Sequence, residues 1–165
     1  MAGMLDARPK VGYFHTGKTD LSYIAEKIKS IKVSEVKSIP IIVDESTSLY
    51  DSLVSLFLED VGSIYVSNNG VLAGIVSRKD FLKSVMGDVD LNKVPIGMIM
   101  TRMPNLIYVE DGDSILDAAI KLIEQEIDSL PVVESLDNES KDYRVTGRIT
   151  KTTITRLFVE LGRNE

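Results

Sequence analysis

The residues best suited to chemistry lie in Gly74-Ile75-Val76-Ser77-Arg78-Lys79-Asp80-Phe81, where an apolar strand closes on a glycine and runs into a helix whose first turn holds Ser77 and Asp80. Backbone N–H groups, a hydroxyl and a carboxylate converge there at one helix N-terminus, a place to hold a small polar ligand. Ser77-x-x-Asp80 also reads as a capping box, in which the hydroxyl accepts from a first-turn N–H and the acid reaches back to the cap, although Glu or Gln is the usual acid. The stretch alone leaves both readings open.

A second candidate is Gly12-Tyr13-Phe14-His15-Thr16-Gly17-Lys18-Thr19, which matches the phosphate-binding loop G-x-x-x-x-G-K-[ST] letter for letter. Residues 39–44 even supply an apolar run ending in Asp44. A P-loop ATPase or kinase is therefore an alternative, but the context opposes it. The loop needs a buried parallel strand just before it, and residues 5–11 carry Asp6, Arg8, Pro9 and Lys10. Tyr13 and Phe14 are bulky where the backbone must wrap a phosphate. The favoured reading is an ordered arm whose aromatic pair packs on the rest of the chain or on a partner, with Lys18 in reach of a phosphate.

Other catalytic constellations are absent. The one histidine, His15, has no cysteine or second histidine beside it, so no metal site is assigned. Acid pairs such as Asp44/Glu45 and Glu110/Asp111 fall at strand-to-helix turns, where carboxylates favour helix starts, and read as caps rather than catalysts. No residue is assigned a catalytic role, and the chain is not read as an enzyme.

The elements that must position these residues belong to a globular protein of 165 residues, 44% hydrophobic and 27% charged, with net charge −6. An acidic balance gives no electrostatic footprint for nucleic acid, so direct nucleic-acid binding is not expected. The absence of cysteine excludes disulfides and thiolate metal sites and fits a cytoplasmic protein. No apolar run approaches the roughly 20 residues of a membrane span, and no membrane partner is expected. Met1-Ala2-Gly3-Met4 reads as a start set before an internal segment, so a piece of a longer protein is expected.

Residues 1–19 read as an N-terminal arm or linker. Leu21, Ile24, Ala25, Ile28 and Ile31 then follow amphipathic helical spacing, with Asp20 or Thr19 as cap. From there the chain repeats. Residues 42–51 lie over 108–117 at an offset of 66, and Ser63-Ile64-Tyr65-Val66 lies over Ser129-Leu130-Pro131-Val132 at the same offset. A fixed period of this size means one supersecondary unit used twice. Each unit reads as a strand (41–43; 106–109), a capped helix, two strands (63–67 and 71–76; 130–133 and 144–149) and a final helix (79–86; 153–161). The core stripes of the capped helices are Leu49, Leu53, Leu56 and Phe57, and Ile115, Ala119, Leu122 and Ile123. Asn68-Asn69-Gly70 is a hairpin signal. A longer polar excursion through Asp137, Asn138, Glu139 and Ser140 moves the later offset to 73, so the opening motif recurs as Gly147-Arg148-Ile149-Thr150-Lys151-Thr152-Thr153-Ile154.

At these residues the sequence resembles the cystathionine-β-synthase (CBS) domain, and the two copies resemble a tandem CBS pair, or Bateman module. The lead-ins Val33-Ser34-Glu35-Val36 and Met98-Ile99-Met100-Thr101, a proline shortly after each (Pro40, Pro104), the apolar runs and the Gly-x-apolar-Ser/Thr-x-x-Asp ending carry the likeness. It implies an α+β fold of two β-α-β-β-α repeats related by a pseudo-two-fold axis, spanning residues 20–90 with the lead-in helix and 91–165. It also implies that an adenine nucleotide, AMP, ADP or ATP, enters the inter-repeat cleft as a regulatory ligand, with no cofactor required. By the same resemblance Asp80 takes the ribose hydroxyls, Ser77 and Lys79 face the phosphate, and Ile75 and Gly62 line the main cleft. Arg102, Asn105, Ile107, Ile127 and Asp128 surround the base.

The second cleft departs from the family pattern, because Thr153 stands where the ribose-binding Asp would be and a hydroxyl makes weaker bonds than a carboxylate. There Thr150, Lys151 and Thr152 would hold phosphate, with Lys37, Ile39, Ile41 and Val61 around them. Thr153 otherwise reads as an ordinary exposed helix residue. The arm from Ala7 to Thr19, followed by a CBS pair ending in Gly-Arg-Ile-Thr-Lys-Thr-Thr-Ile, resembles the effector region of CcpN-type transcriptional repressors of Gram-positive bacteria. That likeness implies a missing N-terminal DNA-binding domain through which alone DNA would be met, and a homodimer formed through the CBS helices. The regulatory module of another protein, or a structural dimerisation module with no ligand, are the further alternatives.

Overall fold

The computed structural model describes residues 22–87, 89–137 and 141–163, so the arm at 1–19, with Gly12 to Thr19 and His15, lies outside the described residues. The chain runs through α1 (Ser22–Ser30), α2 (Val33–Val36), β1 (Ile42–Asp44), α3 (Leu49–Leu58), β2 (Ser63–Asn68), β3 (Val71–Ser77) and α4 (Arg78–Val85). A 3-10 turn at Ile96–Met98 and β4 (Thr101–Arg102) lead into β5 (Val109–Glu110), α5 (Ile115–Glu124), β6 (Ser129–Ser135), β7 (Tyr143–Thr150) and α6 (Lys151–Arg163). The fold is α+β, with the strand-helix-strand-strand-helix order used twice.

Sheet register keeps the sequence offset. Val43 lies opposite Val66 in the parallel β1–β2 pair, and Val109 opposite Val132 in β5–β6. Both long antiparallel pairs shift register at the same place, after Val66 and after Val132. The first hairpin closes on Asn69 (φ 50°) and Gly70 (φ 82°), the left-handed pair that a two-residue turn demands.

Helices α3 and α5 start alike, because Ser48 Oγ accepts from the Asp51 N–H at 3.0 Å and Ser114 Oγ from the Asp117 N–H at 3.1 Å. Leu49 and Leu56, like Ile115 and Leu122, are buried. Phe57 and Ile123 are not core residues: they are 79% and 67% exposed. Each sits about 100° around its helix from the buried leucine before it, which turns it off the core face. Ala118 rather than Ala119 is the fully buried small residue of α5.

The lead-ins exchange partners. The Val33 and Ser34 N–H groups donate to Asp113 and Asp111, and Val33 joins the second unit's core with Ile28 and Ile31 beside it. Residues 91–100 do the reverse: the Ile96 N–H donates to Thr47 O at 2.7 Å, and Ile96 and Met100 complete the first unit's core. β4 pairs with β3, giving a four-stranded sheet against the second unit's three. β4 precedes the strand expected over 106–109, and of that strand only Val109 is paired, joining β6 with Glu110 as β5. Between the units a third core holds Tyr65, Leu72, Leu106, Val133 and Val145.

Candidate functional site

Helix α4 begins at an extended Ser77, whose Oγ accepts from the Asp80 N–H at 3.4 Å. Asp80 Oδ2 in return accepts from the Ser77 N–H at 2.9 Å and its hydroxyl at 2.6 Å. The capping box is therefore formed. The start of α6 repeats it with a hydroxyl in place of the acid: Thr150 Oγ1 accepts from the Thr153 N–H at 3.1 Å, and Thr153 Oγ1 from the Thr150 N–H at 3.2 Å. Thr153 is half-buried and closes a cap, so it is not an ordinary exposed helix residue.

What faces these two helix starts is set by the ends of α3 and α5. Both finish in a Schellman turn, with Val61 N–H donating to Leu56 O and Ile127 N–H to Leu122 O, each at 3.2 Å. The turn needs a left-handed residue, supplied here by Asp60 (φ 47°) and Glu126 (φ 55°). It delivers Gly62 O to the Arg78 N–H at 3.0 Å and Asp128 O to the Lys151 N–H at 3.2 Å. Salt bridges reinforce both junctions, Arg78 to Asp60 at 3.3 Å and Lys151 to Asp128 at 2.7 Å.

The two helix starts open onto one cavity of about 1300 Å³ between the units. Of the residues named for the main cleft, Ile75, Ser77, Lys79, Asp80, Gly62, Asn105, Ile107, Ile127 and Asp128 line it, and of those named for the second, Val61, Thr150, Lys151, Thr152 and Thr153 do. Four are placed elsewhere. Arg102 donates to Gly97 O at 2.7 Å and borders a separate cavity of about 550 Å³. Lys37 Nζ is held by both Asp111 oxygens, at 2.6 and 2.9 Å, and by Thr146 Oγ1. Ile39 is 82% exposed, and Ile41 packs against the first unit's core. Residues 37, 39 and 41 would share one face of a regular extended strand, but Lys37 is drawn to Asp111 of the second unit while Ile41 packs on the first unit's core, so the lead-in does not present them together to one cleft.

Sequence reasoning passed over Ser63, Arg78, Lys83, Arg148 and Arg156, which also line the cavity. The offset of 73 was the available signal, since it lays Arg78 over Lys151 and Lys83 over Arg156. At the seam, the buried Tyr65 hydroxyl bonds Ser129 Oγ across the units. Burial pushes the Tyr65 phenol up to about 12, against the opposing pull of Ser129, the Arg148 charge and Ser63. Ser63 Oγ lies near that phenol, but it is the one buried side-chain polar atom among the described residues that forms no hydrogen bond.

The acid pairs serve turns. Asp44 Oδ1 accepts from the Ser46 N–H at 2.9 Å and from its hydroxyl, which hold the carboxyl below its usual range. Asp111 holds Lys37. Among the described residues no group of three or more His, Cys, Asp or Glu could hold a metal ion, and no helix is long and apolar enough to cross a membrane.

The sequence profile of the CBS domain matches residues 33–87 and again 96–160. The transcriptional repressor CcpN of Bacillus subtilis (strain 168) is 45% identical over 166 aligned residues, covering all of this chain and 77% of the repressor. Among solved structures, the CBS domain pair of protein MJ0100, in complex with 5'-methylthioadenosine and S-adenosyl-L-methionine, is 27% identical with a TM-score of 0.66 over 78% of this chain and 96% of that one. CBSX2, solved in complex with AMP, shares the fold at 24% identity, with a TM-score of 0.64 over 81% of this chain and 99% of that one.

Proposed function

The chain belongs to the CBS-domain family as a tandem pair, and from that premise we propose that it is a regulatory module of a transcriptional repressor that binds AMP, ADP or ATP between its two units. The observation that carries the reading is the convergence of both repeated helix starts on one inter-unit cavity. In it Asp80 takes the ribose hydroxyls after giving up its contact to the Ser77 hydroxyl, and the amides of α4 with Ser77 and Lys79 face phosphate. The Thr153 half, with a hydroxyl where the acid stands, binds more weakly. The module has no catalytic role, works in the cytoplasm, and reaches DNA only through a separate DNA-binding domain.

The same reading includes a homodimer. Phe57 and Leu58 on α3, Leu82 on α4, Ile123 on α5 and Phe158 on α6 are all 66% exposed or more, which is much apolar surface to leave in water. Nucleotide bound between the units biases how they and the two protomers pack, by no more than its difference in affinity for the two arrangements.

Calorimetric titration with AMP, ADP and ATP tests the proposal. At least one should bind, and Asp80→Ala should weaken it by about tenfold or more while costing about 1 kcal/mol of stability through the lost cap. No binding of any of the three at millimolar concentration overturns it.

A further inference from the structure

Two binding halves were expected, yet the structure has one continuous cavity. Its volume of about 1300 Å³ exceeds the roughly 300–1000 Å³ of a single small-molecule site. Both long helix starts open into it, and positive side chains recur there in register, Arg78 with Lys151 and Lys83 with Arg156. The chain as a whole carries −6, whereas the six basic residues of the lining equal its six acidic ones. Lys151 is held by an exposed salt bridge to Asp128, and Arg78 by an exposed one to Asp60 beside a bond from its Nε to Val61 O at 3.2 Å; exposed salt bridges exchange readily for a multivalent anion.

The seam supplies a separate observation. Ser63 and Ser129 are counterparts at the offset of 66, but only Ser129 is satisfied, by the phenol of Tyr65. The counterpart of Tyr65 is Pro131, which has no hydroxyl to return the bond to Ser63. Ser63 is 4% exposed, its Oγ forms no hydrogen bond, and it lines the cavity beside Ser77, its partner across the β2–β3 ladder. A buried hydroxyl left without a partner is costly, and a polar ligand atom in the cavity relieves it.

Resting on the nucleotide reading above, we infer that the cavity takes a single ligand spanning both halves, a dinucleoside polyphosphate. One nucleoside lies at Asp80 and the other at Thr153. The phosphate chain runs between the starts of α4 and α6, met by Arg78 and Lys151, with the Ser63 hydroxyl donating to it. This arrangement gives the weaker Thr153 half a use. A second nucleoside tethered to the first meets its site at an effective concentration near millimolar, so contacts too weak to hold a free nucleotide still add to affinity.

The test is calorimetry of the full chain with ADP and with diadenosine tetraphosphate. The expected result is one dinucleotide per chain, bound at least tenfold more tightly than ADP and blocking all ADP binding. Lys151→Ala should weaken the dinucleotide about tenfold. Ser63→Ala should weaken it several-fold while melting no lower than the parent chain, since it removes a hydroxyl that has no partner. Two dinucleotides per chain, or an affinity no better than that of ADP, overturns the inference and leaves the mononucleotide reading standing. Failure of every compound to bind overturns both.

Discussion

A methyl group at Gly74 would stand 2.5 Å from Met100 Sδ and 2.7 Å from the Thr101 carbonyl oxygen. The sulfur can turn aside, but the carbonyl belongs to a strand paired with β3 and cannot. At Gly147 the nearest atoms to the same methyl are those of the Lys37 side chain, its Cδ at 2.6 Å. Gly74→Ala should therefore destabilise by about 1–3 kcal/mol and Gly147→Ala by clearly less, as compared by urea unfolding. Equal losses would contradict the backbone explanation. Tyr65 gives a prediction in pH. Its phenol stays protonated to about 12 in the folded state, whereas in the unfolded chain it ionises near 10. Between those values the unfolded state holds fewer protons, so stability falls as pH rises, by up to about 1.4 kcal/mol per unit. Tyr65→Phe should flatten that fall between about pH 10 and pH 12 relative to the parent chain; an unchanged slope would place its source elsewhere. The Ser77 and Asp80 pairing was legible in the sequence because it spans three residues. The Tyr65 bond to Ser129 spans 64 and leaves no local trace.

The paired Schellman turns set which residues face the cavity, and both are made with the wrong residue for the job. An L-residue in the left-handed region costs roughly 1–2 kcal/mol. The exposed Asp60–Arg78 pair that could offset this is worth less than about 1 kcal/mol. Asp60→Gly should accordingly raise stability by up to about 1 kcal/mol in urea unfolding, and a loss instead would mean that the salt bridge outweighs the strain. The same turns explain what sequence reading could and could not see. The capped helices, the hairpin and the long strands follow from periodicity and turn chemistry over windows of six residues or more. Nothing at Asp60 or Glu126 signals a helix end, since glycine or asparagine is the usual mark. Four-residue α2 and two-residue β4 are too short to carry a period. Their placement, and with it that of Arg102, Lys37 and Ile39, depends on partners far along the chain.

For the whole molecule, part of the exposed apolar surface recurs in both units: Phe57 and Ile123, and Val54 and Ile120, are exposed counterparts at the offset of 66, whereas Leu58 stands over Glu124. Periodicity counted Phe57 and Ile123 as core, and physically they behave as core awaiting a cover. In the proposed homodimer that cover is a second copy, so Phe57→Asp should shift sedimentation from dimer to monomer, with the monomer still folded by circular dichroism. A parent chain that sediments as a monomer at every concentration would end the dimer reading. The exchanged lead-ins bear on descent. Val33 completes the second unit's core, and Ile96 and Met100 complete the first unit's. A protein with one such unit could fill its core only by trading lead-ins with another molecule. The present chain is the arrangement that results when two such molecules are fused end to end: assembly no longer depends on concentration, and the two halves become free to diverge, as Asp80 and Thr153, or Tyr65 and Pro131, have done.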